Sequence, residues 1–184
     1  MKFGGMIKMS STILLKKTCS IYASDLHLAT MIFPYVKNQL REGAMVKTIL
    51  ENNIGSSIET VISHISLNPE TEEKMKQIDW AKTNILKIRN TLQEIEMALQ
   101  EKDNVNIIVS GSNLFIDKVN QVIDLWIKAN LETIEEDKKM VHVINCYHFE
   151  QNQPIEDIME KHEYILKTTG IEEIIEEEYL KKAN

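Results

Sequence analysis

Asn104–Asp117 reads NVNIIVSGSNLFID, and the period of its apolar residues changes halfway along. Val105 to Val109 form a short apolar run of strand type. After Ser110-Gly111-Ser112-Asn113, the residues Phe115, Val119, Val122, Ile123, Trp126 and Ile127 recur at helical spacing. A strand that turns through a glycine into a helix directs unpaired backbone N–H groups and the positive end of the helix dipole at one point. Many α/β proteins hold a phosphate there. The stretch therefore argues for an α/β fold and raises an anion site as a question.

The same alternation extends outward in both directions. Downstream, Met140–Tyr147 (MVHVINCY) is apolar on both alternating faces, as expected of a central parallel strand covered by helices on both sides. Pro154 then opens a helix that buries Ile155, Ile158, Met159, His162, Ile165 and Leu166 and stops at Gly170; residues 171–184 are expected to form a last amphipathic helix. Upstream, Thr18–Ala23 (TCSIYA) reads as a strand, with Thr12–Leu15 as a possible antiparallel partner. Ser24 is placed to cap a helix that buries Ala29, Ile32, Phe33, Val36 and Leu40, is bent at Pro34 and ends at Gly43.

Ala44–Leu50 is the next strand, and Ser57–Ile65 the next helical face. Asn68 and Pro69 begin a further turn, with Glu70, Glu72 and Glu73 at its positive end. Met75–Trp80 (MKQIDW) is read as a short strand because a new start signal, Thr83 or Asn84, follows at once. Ile85, Ile88, Leu92, Ile95 and Leu99 then line one face of a long helix. Strands alternating with helices imply a three-layer α/β sandwich with a mostly parallel sheet of about five strands.

The totals agree with one domain spanning residues 1–184, with residues 1–10 as a tail. A formal charge of −7 without basic clusters disfavours nucleic acid. Cys19 and Cys146, distant and without metal-type spacing, fit a reducing compartment. Gly4, Gly5 and Lys8 interrupt any signal-peptide centre, and no apolar run approaches the ~20 residues of a membrane span, so a cytoplasmic location is expected.

Ligands of such folds gather at the carboxyl ends of the strands. Here those ends are Tyr22–His27, Glu51–Asn53, Ser110–Asn113 and Tyr147–Phe149. The residues that single out a site are Tyr22, Ser24, His27, Ser110, Ser112, Asn113, Tyr147 and His148. A nucleotide P-loop needs two glycines, a lysine and a hydroxyl at fixed spacing, and the first strand runs instead into YASDLHLAT. The SGSN turn has one glycine and no basic neighbour, so a strand exit capped by Ser112 or Asn113 is the simpler reading.

His142, Cys146 and His148 share one strand face. Positions six apart on a strand lie ~20 Å from each other, so no metal site is expected, nor any cofactor. His162 lies on the apolar stripe of its helix and reads as a half-buried structural histidine, not a phosphoacceptor.

Three segments, IYASDLHLATMIFPYVKNQLREGAMVKTILEN, VSGSNLFIDKVNQVIDLWIKAN and HVINCYHFEQNQPIEDIMEKHEYILKTTG, resemble the MEDS sensory domain of methanogen and methylotroph proteins, over roughly residues 18–172. The resemblance implies a RecA/KaiC-like sheet without nucleotide chemistry and a role in sensing small organic molecules. His148 stands where an acidic residue is commoner in that family. The expectation is a non-enzymatic sensory domain that binds a small-molecule ligand or a regulatory protein partner at the strand ends, with the 171–184 helix available for a homodimer. The alternatives are a nucleotide-dependent enzyme with a non-standard loop and an assembly protein.

Overall fold

The computed structural model describes residues 13–101, 104–130, 139–149 and 155–174. In chain order these form β1 (Ile13–Tyr22), α1 (Asp25–Arg41), β2 (Met45–Leu50), α2 (Gly55–Ser63), α3 (Pro69–Gln77), a 3-10 turn over Ile85–Lys87 leading into α4 (Ile88–Glu101), β3 (Asn104–Gly111), α5 (Asn113–Asn130), β4 (Lys139–His148), α6 (Ile155–Met159), β5 (Tyr164–Lys167) and β6 (Gly170–Glu173). The six strands make one sheet in the order β2-β3-β4-β1-β5-β6, parallel except for the β5–β6 hairpin. The fold is thus the expected three-layer α/β sandwich, with the first strand at its centre.

Period-2 alternation divides each strand between two cores. Val105, Ile107 and Val109 of β3 and Val141 and Val143 of β4 face one side, where α4, α5 and α6 cover them with Leu92, Ile95, Ile116, Ile123 and Ile158. Ile108, Ile144 and Cys146 face the other, under Leu28, Ile32 and Val36 of α1, Ile58 of α2 and Met75 of α3. Each fully buried aliphatic side chain contributes about 1.5–3 kcal/mol, which is why strands buried on both faces are mostly apolar and the polar residues they do bury, such as Thr18, Asn106, His142 and Asn145, are hydrogen-bonded. Cys19 belongs to the first core and Cys146 to the second, so the sheet separates the two thiols and both are free.

Helix α1 shows how local sequence fixes an element. The Ser24 hydroxyl accepts the His27 N–H at 3.2 Å, and at the far end Gly43 takes φ +79°, donating to Leu40 O while Ala44 N donates to Gln39 O. That pair of bonds satisfies the last carbonyls, and glycine tolerates the left-handed turn. Its flank carries a buried polar chain. The Tyr35 hydroxyl donates to Asn106 Oδ1 at 2.5 Å, so its oxygen accepts from His142 Nδ1 at 2.9 Å, and His142 Nε2 accepts the Thr18 hydroxyl at 2.7 Å. Asn106 Nδ2 continues the chain to Gln39 Oε1. Burial keeps His142 neutral, so with its proton on Nδ1, facing the Tyr35 oxygen, its Nε2 is the acceptor toward Thr18.

Several expectations are corrected. β1 is continuous from Ile13 and pairs in parallel with β4, so of the expected Thr12–Leu15 partner, Ile13 to Leu15 belong to β1 itself and Thr12 lies outside the described residues. Met75–Gln77 belongs to α3 and no strand forms there: Met75 is buried on the helix, and Trp80 turns inward to donate its indole N–H to Met75 O at 3.1 Å. Beyond α6 the chain is a hairpin and not a helix, so His162 precedes β5 while Ile165 and Leu166 lie on it. Residues 171–173 are strand β6, contrary to the expected C-terminal helix; residues 175–184 and 1–10 lie outside the described residues. Among the described residues no helix is long and apolar enough to cross a membrane.

Candidate functional site at the strand ends

Parallel register sets the ends of four strands level. Tyr22 of β1 sits beside His148 of β4, Gly111 of β3 beside Tyr147, and Leu50 of β2 beside Ser110. Side-chain alternation then sorts the polar residues by face.

On the α1 face, Ser110 is buried and donates its hydroxyl to the Tyr22 hydroxyl at 3.0 Å, and the Tyr22 ring meets the His148 ring edge-on at 5.2 Å between centroids. Phe149 N donates to Tyr22 O at 2.7 Å and holds the β4 exit against the β1 exit. Burial raises the Tyr22 hydroxyl above its ordinary value; the Ser110 hydrogen bond opposes this, and the nearby Asp25 and Glu51 carboxylates reinforce it. The edge is therefore a neutral phenol and an imidazole in an acidic surround.

The question raised by the SGSN turn is answered by Glu51, which follows β2. Its carboxylate accepts Ser112 N–H at 2.5 Å and the Ser112 hydroxyl at 3.1 Å. The Ser112 hydroxyl oxygen also lies 3.4 Å from Phe115 N, so Ser112 and not Asn113 caps α5. The anion at this helix N-terminus is the chain's own. Gly111 is what lets it approach: a Cβ there would lie 2.5 Å from Glu51 Oε2 and 2.6 Å from Glu51 Cβ. Replacing Glu51 with alanine removes two charge-assisted hydrogen bonds from a half-buried helix start, with an expected stability loss of about 2 kcal/mol in urea denaturation. Wild-type stability in Glu51→Ala would show that the clasp is not formed in solution.

The remaining expected residues separate into three situations. Ser24 and His27 are exposed and occupied with each other's turn, since the His27 N–H bonds Ser24 and His27 Nδ1 accepts Ala23 N at 3.2 Å. Asn113 is half-buried, with its Oδ1 enclosed and unpartnered among the described residues. Tyr147 points away from Tyr22, into the opposite core, where its ring meets His162 edge-on at 5.8 Å. There His162 Nε2 faces Asn145 Nδ2 at 3.1 Å, and Asn145 Oδ1 accepts from Asn120 Nδ2 at 3.0 Å. His162 Nδ1 lies 2.8 Å from Ile158 O. Burial, more than the neighbouring Lys17 and Lys161, lowers His162.

Four expected residues thus meet, Tyr22, Ser110, Ser112 and His148, and Glu51 completes them. Sequence reasoning marked Glu51 as a strand end without giving it a role; the available signal was a carboxylate directly after an apolar strand, level with a glycine turn. His142, Cys146 and His148 do not converge on a common site, and among the described residues no cluster of three metal-type side chains occurs.

Exposed apolar side chains also stand at the edge, among its polar ones. Leu26, Leu114 and Phe149, which open α1, follow the SGSN turn and leave β4 respectively, are each exposed by two-fifths or more. No protein-family model matches the chain, and no curated protein matches it.

Proposed function

We propose that this chain is a non-enzymatic sensory or signalling module that binds a neutral or cationic small organic molecule at the carboxyl edge of its sheet, in the cytoplasm. The observation that carries the reading is the Glu51–Ser112 clasp: the helix terminus that would seat a phosphate is filled by a carboxylate, and Asp25 adds a second negative charge beside Tyr22. An anionic ligand meets repulsion here, whereas an organic molecule finds the Tyr22 and His148 rings, with the exposed Leu26, Leu114 and Phe149 at the same strand and helix ends. The resemblance to MEDS sensory domains points in the same direction.

Thermal-shift measurements over small neutral and cationic organic molecules test this. Binding at a hundredfold excess over Kd stabilises by about 2.7 kcal/mol, so a hit raises the melting temperature by several degrees. The gain is expected to vanish in His148→Ala and in Tyr22→Ala when each is compared with its own unliganded baseline. Saturable stabilisation by magnesium-ATP that depends on the same residues would replace the sensory reading with a nucleotide-dependent enzyme.

A further inference from the structure

β2 is an edge strand of the sheet, and the 79–83 segment bonds part of its outer side. Its last residue is already paired by a neighbouring extended segment: Leu50 N donates to Thr83 Oγ1 at 2.9 Å, and Thr83 N donates to Leu50 O at 2.8 Å. The Thr48 hydroxyl reaches Asp79 O on the same segment. Alternation in a parallel ladder sends the backbone groups of Val46 and Thr48 to the same side as those of Leu50. Among the described residues those outward N–H and C=O groups have no protein partner. They face a groove of about 690 Å³ bounded by the end of α3, the 78–84 segment and the start of α4.

The charge of the groove runs against that of the chain. Of its four lysines, Lys47 pairs with Glu94 and Lys74 with Glu70, while Lys82 and Lys87 are exposed and have no carboxylate partner among the described residues. A protein of formal charge −7 therefore presents two uncommitted cations beside an unpaired strand edge.

We propose that this groove receives an acidic, extended peptide segment of a partner protein, which adds to β2 as a further strand. The occupant continues the pairing that Thr83 begins, bonding the outward groups of Val46 and Thr48 and setting its carboxylates against Lys82 and Lys87. Backbone pairing supplies the affinity, and the lysines select for acidic sequence.

The test is fluorescence anisotropy with a labelled hexapeptide alternating valine and glutamate, beside its valine–lysine counterpart and free glutarate. Saturable binding of the acidic peptide alone is expected, weakening with salt. The double variant Lys82→Glu/Lys87→Glu, both on the surface, is expected to weaken it by roughly tenfold or more. Thr48→Pro removes one outward N–H and no ladder bond, and is expected to abolish binding; Thr48→Val, which removes only the hydroxyl bond to Asp79 O and keeps the N–H, is expected to retain it. Equal binding of the lysine peptide, equal competition by glutarate, or full affinity in the charge-reversed variant would each overturn the proposal. Folding of each variant is checked by circular dichroism; should Thr48→Pro unfold, the same peptide methylated on alternate backbone nitrogens tests the edge from the other side. Undiminished affinity of that peptide also overturns the proposal.

Discussion

Gly111→Ala is expected to lower unfolding stability by about 3 kcal/mol, at the upper end for one added methyl group. The Cβ would meet Glu51 Oε2 at 2.5 Å, Glu51 Cβ at 2.6 Å and Phe115 Cδ1 at 2.9 Å. Relief requires the carboxylate to leave Ser112, which strips the α5 N-terminus of its charge-assisted partner, or the β2 and β3 exits to part. Gly43→Ala gives the contrast: no atom lies within 4 Å of its added Cβ, so only the positive φ of +79° costs anything, about 1 kcal/mol. Gly111 has a positive φ of its own, +159°, so the excess of its loss over that of Gly43→Ala in urea denaturation reads the contact. A Gly111→Ala loss no greater than that of Gly43→Ala would mean that Glu51 does not hold this position.

Acidification is expected to destabilise the protein by about 3 kcal/mol between pH 7 and pH 4 through His142 alone. Burial, with a smaller contribution from the charge on Lys16, depresses His142 from 6.5 to about 4. Between those values the unfolded chain binds a proton that the folded chain refuses, so stability rises with pH through this window and levels off above 6.5. The groups facing the imidazole explain the refusal. Thr18 on β1 and Tyr35 on α1 satisfy a neutral ring, Asn106 on β3 holds the Tyr35 proton, and among the described residues no carboxylate is bonded to either ring nitrogen. His162, also lowered by burial, adds a slope of the same sign. Replacing His142 with glutamine keeps polar atoms in the chain but has nothing to titrate. Its stability is expected to fall by about 2 kcal/mol at pH 7 and its pH slope below 6.5 to flatten. An unchanged slope in His142→Gln would place the acid sensitivity elsewhere.

The elements that could be read from the sequence are those in which local pattern and tertiary demand coincide. Val105–Val109 and Met140–Tyr147 are mostly apolar on both faces because helices cover both, their exceptions Asn106, His142 and Asn145 being buried and hydrogen-bonded, and α4 carries one stripe because only one face is covered. The C-terminal hairpin was not legible. Four-residue strands are too short to display alternation, and the spacing of Ile158, Ile165 and Leu166 also suits a helix. Pairing of Tyr164 and Ile165 with Thr18 and Cys19, far away in sequence, decides the outcome. Gly170, read as a helix stop, instead takes φ +128° at the start of β6.

The candidate site was legible as a location, since strand ends in a parallel sheet lie level. Its membership was not. Whether a terminal side chain turns to one core or the other depends on single-residue register, which placed Tyr22 with His148 and sent Tyr147 to His162.

The order of the sheet also dictates an order of events. β2, β3 and β4 are consecutive neighbours and can pair as they appear, whereas β1 rests between β4 and β5, with Ile13 opposite Lys139 and Tyr22 opposite His148. During synthesis β1 is thus made before β2, β3 and β4 yet waits, its edge unpaired until more than a hundred residues later its neighbour emerges. The centre of the sheet closes only once β4 is made, and that interval is when the chain is open to a chaperone or to aggregation.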